Sequence, residues 1–360
     1  MKIFIGAEHI ITPIGNTAEE NFLNLKKNIS GIKRFEQAGF KKEDINLSKI
    51  SSIEKANKFD TLLEDCLLNT GKKISSEIIS SDKTIVIIST TKGDLEENLN
   101  GTIIKSARQI QNKFSLKHVP LVISDACASG VIAINTGANL IRAGLYTHAI
   151  VIGCDVISDF VLFGFQSLFA ISDEPCAPFD RDRKGITLGE GGAAVVLSKE
   201  QAIFNEPPVE FLHGTSSNDA NHISGPSRTG EGLYRTVKKT LSASDIKTNE
   251  IDFISAHGTA TLFNDDMESI AFDRLGMNNI PLNSFKGYFG HTLGAAGVIE
   301  TACCIQSMRN NFLIKNQGFK TIGTSKEINV LSENQNKEVG VVLKTASGFG
   351  GCNASLLLKK

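Results

Sequence analysis

Short apolar runs recur along the chain, each bounded by Gly, Ser or Asp. The runs are KIFIGA, TIVIIST, PLVISD, HAIVIGCD, AAVVLS, VEFLHG, DFISAHG, VGVVLKTA and ASLLLKK. Runs of this kind predict strands, several of them buried on both faces. Segments with apolar or small residues at helical spacing lie between them, at 127–143, 229–243, 265–275 and 294–309. This alternation predicts a layered α/β protein.

The chain also contains a weak internal repeat. A glycine cluster precedes an apolar strand in LGEGGAAVVLSKE and again in SGFGGCNASLLLKK. We therefore expect two similar halves, 1–203 and 204–360, because the charged and proline-containing segment KEQAIFNEPP lies between them. A length of 360 residues is compatible with two domains of about 150 residues each. The polar segments 41–57 and 321–338 are predicted to be exposed connections.

The composition excludes several classes of protein. With 41% hydrophobic and 21% charged residues, the chain is expected to fold around a large core. A net charge of −1 provides no overall field for nucleic acid or an anionic membrane. No apolar stretch approaches the roughly 18 residues of a membrane span, and Glu8 and His9 interrupt the N-terminal apolar run. We therefore expect a cytoplasmic protein.

Seven cysteines without a CxxC pair or metal-ligand spacing predict reduced thiols and no bound metal. Cys127 is the candidate nucleophile, since PLVISDACASG predicts a strand, a tight turn and the start of a helix built from small residues. A thiol at a helix N-terminus is expected to have a lowered pKa, because the helix dipole stabilises the thiolate. A buried structural cysteine is the alternative that this segment alone leaves open.

Two histidines have similar surroundings. His257 follows the apolar run of DFISAHG, and His291 lies in KGYFGHTLGAAG, so glycines flank both side chains. This arrangement would aim two imidazoles at one point with little steric cover. Glu300 lies on an apolar helix and would be costly to bury without a partner, so a network of Lys286, Glu300 and a histidine is expected.

The glycine-rich turn SGFGGCNAS surrounds Phe349 just before the last strand. Glycine allows the backbone to approach a ligand closely, and an amide N–H from this turn could complete an oxyanion hole. An ordinary glycine-rich turn is the alternative.

Taken together, these motifs resemble the β-ketoacyl-acyl carrier protein synthases of the thiolase superfamily, of the elongating Cys-His-His type. The similarity covers nearly the whole chain. It is carried by six ordered motifs: ITPIGNTAEENFLNLKKNISGI, DACASG, APFDRDRKGITLGEGGAAVVL, HGTATLFND, KGYFGHTLGAAGVIE and GFGGCNAS. The resemblance implies a thiolase-like fold, with two pseudo-symmetric halves packed as five αβαβα layers.

The resemblance also implies roles for individual residues. Cys127 would accept an acyl chain from a carrier-protein thioester, and His257 and His291 would drive the loss of carbon dioxide from malonyl carrier protein. Lys286 would organise His291 in a network with Glu300. Further roles are implied for the acidic residue Asp265, for the gating residue Phe349, and for the backbone N–H groups of Cys127 and Phe349 as the oxyanion hole. No cofactor or metal is implied.

The implied partners are an acyl carrier protein and a second ketosynthase-like subunit, in a homodimer or a heterodimer. Three positions differ from the usual family motifs, namely Ala260, Leu262 and Cys352, and the connection from Lys92 to Ser124 is short. The short connection makes a specialised aryl-polyene or polyketide enzyme an alternative to a fatty-acid enzyme.

Three other functions are alternatives for this sequence. A chain-length factor would shape a tunnel inside a heterodimer without catalysis, but such subunits usually lose the nucleophile or a histidine. A thiolase would use a second cysteine, for which Cys352 is the candidate, although thiolases lack the set of two histidines and a lysine. A cysteine hydrolase would need an orienting Asn or Asp after one histidine, and no such residue is evident.

Overall fold

The computed structural model describes residues 1–54, 56–95, 102–219, 221–222 and 225–360. Its strands are β1 (Phe4–Ile11), β2 (Lys33–Phe35), β3 (Ile45–Ser48), β4 (Thr84–Ser89), β5 (Leu121–Ile123), β6 (His148–Asp155), β7 (Leu188–Gly189), β8 (Gly191–Ser198), β9 (Val209–Asn218), β10 (Phe253–Ser255), β11 (Leu282–Asn283), β12 (Phe312–Leu313), β13 (Gln335–Asn336), β14 (Val341–Gly348) and β15 (Cys352–Lys359). Its α-helices are α1 (Ala18–Lys26), α2 (Lys58–Gly71), α3 (Thr102–Lys113), α4 (Ser129–Arg142), α5 (Asp159–Ser167), α6 (Glu231–Ser244), α7 (Leu262–Arg274), α8 (Lys286–Phe289) and α9 (Ala296–Asn310).

Ten strands form one hydrogen-bonded sheet in the order β11-β10-β14-β15-β9-β1-β8-β6-β4-β5. Each predicted apolar run contains one of these strands, and β11 is the strand that the sequence pattern missed. The first half contributes β1, β4, β5, β6 and β8 to this sheet, and the second half contributes β9, β10, β11, β14 and β15. When the five strands of each half are numbered in chain order, their order in the sheet, from its outer edge to its centre, is 3-2-4-5-1 in both halves. The halves meet where β1 pairs antiparallel with β9. The strand order therefore repeats, as expected for a thiolase-like fold.

The helices complete five layers. Helices α4 and α9 contact each other and strands of both halves, so they form the central layer. Helix α2 packs on β1, β6 and β8 on one outer side, and α6 packs on β9 and β15 on the other. Buried apolar residues fill the central layer and both outer layers, because strands covered on both faces must be apolar throughout. The predicted helices at 127–143, 229–243, 265–275 and 294–309 correspond to α4, α6, α7 and α9.

The predicted boundary between residues 203 and 204 falls in the segment that joins β8 to β9. The division into halves 1–203 and 204–360 as domains stays a prediction. In the part of the chain that the structure describes, no helix combines the length and hydropathy that a membrane crossing requires.

Two predicted connections are wrong in part. The segment 41–57 contains the completely buried strand β3, which pairs with β7. The segment 321–338 buries Ile328, Val330 and Leu331. Both segments are polar on average, but a few apolar side chains are enough to anchor them on the core.

Candidate functional site

Cys127 lies on a sharp turn between β5 and α4. Ala126 adopts a left-handed conformation with φ of 45°, which is strained for a residue with a side chain. The Oγ of Ser129 closes the turn: it accepts a hydrogen bond from the Asp125 N–H at 2.7 Å and donates to the Ala126 carbonyl at 2.5 Å. The predicted strand-turn-helix arrangement is therefore present, and it presents the Cys127 side chain towards a cavity.

The expectation of a lowered thiol pKa is wrong. Burial raises the pKa of Cys127 to about 12, because the thiolate would lose its hydration. The positive charge of Lys286 and the Phe349 N–H, which donates to Sγ, oppose this shift. The thiol is therefore protonated in the resting site, and both opposing groups favour the thiolate once it forms.

Close packing of two helices fixes the position of the Cys127 turn. A Cβ on Gly130 of α4 would lie 2.7 Å from the Val298 nitrogen, and a Cβ on Gly297 of α9 would lie 2.5 Å from the Val131 nitrogen. The backbones of the two central helices thus touch where neither carries a side chain. Since α4 begins just after Cys127 and α9 begins shortly after His291, this contact ties the nucleophile to one of the histidines.

Two buried carboxylates hold the loop that carries His257. Glu268 accepts hydrogen bonds from the N–H groups of His257 at 2.8 Å and Gly258 at 2.6 Å. Asp265 accepts from the N–H groups of Thr259 at 2.9 Å and Phe179 at 2.7 Å. The predicted supporting residue Asp265 is thus placed beneath this loop, whereas Glu268 was missed by sequence reasoning.

The surroundings of these carboxylates affect their pKa values in the same direction. Burial raises the pKa of Asp265, against the lowering effects of the Phe179 N–H and of Arg183, whose Nε lies 3.6 Å away. Burial and the neighbouring Asp265 raise the pKa of Glu268 to about 7. Arg183 belongs to the charge run of the APFDRDR motif, so part of that run supports the site from within the core.

Lys286 contacts His257, although the resemblance assigned it to His291. Its Nζ lies 3.4 Å from His257 Nδ1 and donates to the His257 carbonyl at 2.6 Å. The same ammonium group forms an ion pair with Glu300 Oε1 at 2.7 Å. The expected network of lysine, glutamate and histidine is present, but the histidine that it holds directly is His257.

The backbone holds His291 from a different direction. Its N–H donates to the Thr187 carbonyl at 2.7 Å, and its carbonyl accepts from the Gly189 N–H at 3.0 Å. Its Nδ1 accepts from the Leu293 N–H at 3.3 Å. Gly294, the residue after Leu293, donates its N–H to the buried carboxylate of Asp155 at 2.8 Å. The His291 loop is therefore fixed by β7 and by the end of β6.

These elements bring three side chains to one point. The Cys127 sulfur and one ring nitrogen of each histidine all lie within 4.8 Å of one another. The two rings are 5.3 Å apart at an angle of 81°. Because Lys286 and the Leu293 N–H donate towards Nδ1 of the two rings, each neutral imidazole carries its proton on Nε2. Both rings can then donate a hydrogen bond to a single oxygen atom in the cavity.

Both imidazoles are neutral near pH 7. Burial lowers the pKa of His257 well below its usual value, and the positive charges of Lys286 and Lys344 lower it further. The pKa of His291 is lowered well below its usual value by the same causes. Protonation of either ring would also put a proton on its Nδ1, which already accepts a hydrogen bond from a neighbouring donor.

Phe349 lies at the cavity wall. Its ring stacks on Phe165, with centroids 5.5 Å apart and an angle of 18°. Its N–H points at the Cys127 sulfur, and both residues line a cavity of about 400 Å³ that also contains the two histidines. An acyl thioester bound to Cys127 would therefore lie beside this amide.

Cys352 does not join the cluster. Its thiol donates to Asp125 Oδ2 at 3.0 Å, and burial raises its pKa to about 12. The second cysteine that a thiolase would use is therefore engaged elsewhere.

Sequence reasoning missed two further charged residues, Lys344 and Asp155. Lys344 lies completely buried in β14, and its Nζ pairs with Glu300 Oε2 at 2.5 Å. The signal was a single lysine inside the apolar run VGVVLKTA. Asp155 ends β6, and Lys92 pairs with it at 2.9 Å.

The cysteine and the two histidines also have the atom types that bind zinc. Among the described residues, however, no fourth acidic, histidine or cysteine ligand joins the group. The ammonium group of Lys286 lies beside His257, which disfavours a second cation there.

Comparisons with known proteins give one consistent family. The model described as "Beta-ketoacyl synthase, N-terminal domain" matches residues 90–202, and the model "Beta-ketoacyl synthase, C-terminal domain" matches residues 211–320. The chain is 28% identical to a putative mitochondrial 3-oxoacyl-[acyl-carrier-protein] synthase of Schizosaccharomyces pombe, across 100% of this chain and 99% of that protein. It is 32% identical to 3-oxoacyl-[acyl-carrier-protein] synthase 2 of Rhizobium meliloti, across 71% of this chain and 64% of that protein.

A solved structure gives the same result. One chain of the complex of a ketosynthase with its chain length factor, from Xenorhabdus doucetiae, superposes with a TM-score of 0.87 at 27% identity. The match covers 99% of this chain and 98% of that chain.

Proposed function

The chain belongs to the beta-ketoacyl synthase family of acyltransferases, and from this premise we propose that it condenses an acyl group held on Cys127 with malonyl carrier protein. The product is a β-ketoacyl carrier protein. The observation that carries the proposal is the meeting of the Cys127 sulfur with His257 and His291 within 4.8 Å.

In the first step, the Cys127 sulfur attacks the carbonyl carbon of an acyl carrier thioester. Negative charge develops on the carbonyl oxygen, and the N–H groups of Cys127 and Phe349 stabilise it as an oxyanion hole. The thiol proton ends on the sulfur of the departing carrier. Lys286 favours this step, because its charge stabilises the thiolate character that develops on Cys127.

In the second step, malonyl carrier protein binds in the same cavity and loses carbon dioxide. The electron pair of the broken bond becomes an enolate, whose oxygen accepts hydrogen bonds from Nε2–H of His257 and of His291. A neutral imidazole suits this role because its one N–H, on Nε2, can donate to the enolate oxygen. Lys286 and the Leu293 N–H fix the orientation of the two rings through Nδ1. Burial strengthens these hydrogen bonds by excluding water.

In the third step, the enolate carbon attacks the carbonyl carbon of the acyl-Cys127 thioester. A carbon–carbon bond forms, the Cys127 thiolate leaves, and a proton from water restores the thiol. No redox change occurs in these three steps.

The proposed partners are an acyl carrier protein and a second ketosynthase-like subunit, as a homodimer or a heterodimer. The matched structure from Xenorhabdus doucetiae is a complex with a chain length factor, and this favours a heterodimer as the form to test first. The specialised aryl-polyene or polyketide pathway and the fatty-acid pathway are the two alternatives within this proposal. A cytoplasmic location also stays a prediction.

The proposal is tested with malonyl carrier protein labelled at its free carboxyl carbon. The purified chain, alone and with its candidate partner subunit, is given acyl carrier protein and then the labelled substrate. We expect labelled carbon dioxide and a β-ketoacyl product that is two carbons longer than the acyl chain supplied. A preparation that binds its partner subunit but releases no carbon dioxide supports a non-catalytic chain-length factor instead.

A further inference from the structure

Two buried lysines share one buried glutamate behind the histidines. Lys286 forms an ion pair with Glu300 Oε1 at 2.7 Å, and Lys344 forms one with Glu300 Oε2 at 2.5 Å. All three side chains are at most 4% exposed. Burying an ion is costly unless opposite charge and hydrogen bonds compensate. Lys286 alone neutralises Glu300, so a charge on Lys344 is one that this pair does not require. Burial lowers the pKa of Lys344, and the neighbouring Glu300 opposes that shift.

The contacts of Lys344 connect it to the strand that leads to His257. Its Nζ donates to the carbonyls of Ser255 at 3.2 Å and Ala256 at 3.3 Å. Lys286 donates to the carbonyl of the next residue, His257, at 2.6 Å. The two ammonium groups thus hold three consecutive carbonyls, from the last residue of β10 to His257 itself.

Lys344 acts electrostatically on both histidines and is not among the leading influences on the nucleophile. It is among the causes that lower the pKa values of His257 and His291. The leading causes of the shift at Cys127 are burial, Lys286, Asp155, the Phe349 N–H and Glu300. Loss of Lys344 should therefore affect decarboxylation and leave acyl loading nearly unchanged.

We propose that Lys344 is a positioning residue for His257, and that its ammonium group, held behind the histidines by Glu300 and by the Ser255 and Ala256 carbonyls, sets the acidic limit of decarboxylation. This inference rests on the proposed function. The charged and titratable groups around the two imidazoles and Lys344 are Lys286 of α8, Glu300, Cys303 and Cys304 of α9, Glu268 and Asp265 of α7, Asp155 of β6, Cys176, and Cys127 before α4.

The direction of the pH effect follows from this arrangement. Removing the Lys344 ammonium group removes a repulsion from both imidazolium forms. This change raises the pKa values of His257 and His291. As the pH falls, the imidazoles are then protonated at a higher pH than in wild type, so the acidic limb of the decarboxylation profile moves to higher pH.

The experiment compares Lys344→Met, Lys344→Gln and wild type in the full chain with its partner subunit. Decarboxylation of malonyl carrier protein and acyl loading of Cys127 are measured separately from pH 5 to 8. We expect the acidic limb of decarboxylation to move up by about one pH unit, or a roughly tenfold loss at low pH. Loading should change by less than about twofold. Lys344→Gln retains N–H donors and should show the same shift with a smaller loss at pH 8.

Lys58→Met is the matched control. Lys58 is also buried and pairs with a buried glutamate, Glu190, at 2.8 Å, but it lies outside the site. Its loss should reduce stability without moving the pH profile. An unchanged profile in both Lys344 variants, or a parallel fall of loading and decarboxylation, would overturn the inference.

A second readout does not depend on activity. The pKa values of the imidazoles can be followed by NMR in protein labelled at histidine, with His257→Asn and His291→Asn for assignment. We expect both values to rise in the Lys344 variants, and unchanged values would contradict the inference. If wild type fails to decarboxylate malonyl carrier protein, the proposed function fails, and this titration still decides the electrostatic role of Lys344.

Discussion

Lys286 Nζ lies 3.4 Å from His257 Nδ1, and Leu293 donates its N–H to His291 Nδ1 at 3.3 Å. Each ring therefore has a donor at Nδ1, although an ammonium group holds one ring and the backbone holds the other, and the two rings stand at 81° to each other. In both rings the remaining proton lies on Nε2, facing the cavity. This common tautomer makes the pair a site for one developing oxyanion.

Removing either imidazole should separate the two half-reactions. We expect His257→Leu or His291→Leu to slow decarboxylation by about 10²-fold to 10³-fold, the usual loss for one oxyanion donor. Acyl loading should persist, because it relies on the N–H groups of Cys127 and Phe349. Asparagine variants retain an N–H donor and should lose less. Condensation at the wild-type rate in both leucine variants would refute the assigned roles.

The protonated state of Cys127 can be tested by alkylation. Burial raises its pKa to about 12, so the reactive thiolate is a small fraction that grows with pH. The rate of modification by iodoacetamide should rise roughly tenfold per pH unit from pH 6 to 9. Lys286→Met should slow the reaction, because Lys286 lowers this pKa. A plateau below pH 8 would instead indicate a preformed thiolate.

The contact between α4 and α9 should tolerate no additional atom. In Gly297→Ala, the new Cβ would lie 2.5 Å from the Val131 nitrogen, so we expect a loss of about 2 kcal/mol or more in the free energy of unfolding. Gly164→Ala in α5 is the control, since a Cβ there meets nothing within 4 Å, and it should be neutral or slightly stabilising. Equal effects of the two changes on thermal unfolding would contradict this explanation.

Asp155 should be necessary for the His291 loop. Its carboxylate accepts from the Gly294 N–H and pairs with Lys92, whose side chain is only 7% exposed. Asp155→Ala leaves that lysine without its buried partner, so we expect a loss of about 3 kcal/mol in stability. The measurement is chemical unfolding, with Lys113→Ala as a control at an exposed ion pair. A loss no larger than the control's would show that the buried pair is dispensable.

The sequence predicted much of the fold because its strands are buried on both faces. Each apolar run falls in the large sheet, and the small-residue segments became α4 and α9. Strand β3 was missed because its four residues, INLS, alternate apolar and polar positions too briefly to stand out from a polar segment. Its burial depends on pairing with β7, about 140 residues later.

The sequence motifs predicted which residues form the site, but not which side chains contact one another. Cys127 and His257 each follow a predicted strand, and a glycine lies next to each histidine, so these motifs are visible in the sequence, whereas His291 follows the short helix α8 in the structure. The partner of Lys286 and the role of Lys344 depend on how distant strands align. The shift in the pKa of Cys127 was predicted in the wrong direction. The position of this residue at the start of a helix can be read from the local sequence, whereas its burial depends on the whole fold.

The most direct test is mass spectrometry of the purified protein after incubation with an acyl carrier thioester. Wild type should gain the mass of the acyl chain, and peptide mapping should place it on Cys127. Cys127→Ala should gain nothing, whereas His257→Leu should still be acylated. Acylation that persists in Cys127→Ala, or a wild-type chain that stays unmodified with its partner subunit present, would contradict the central claim.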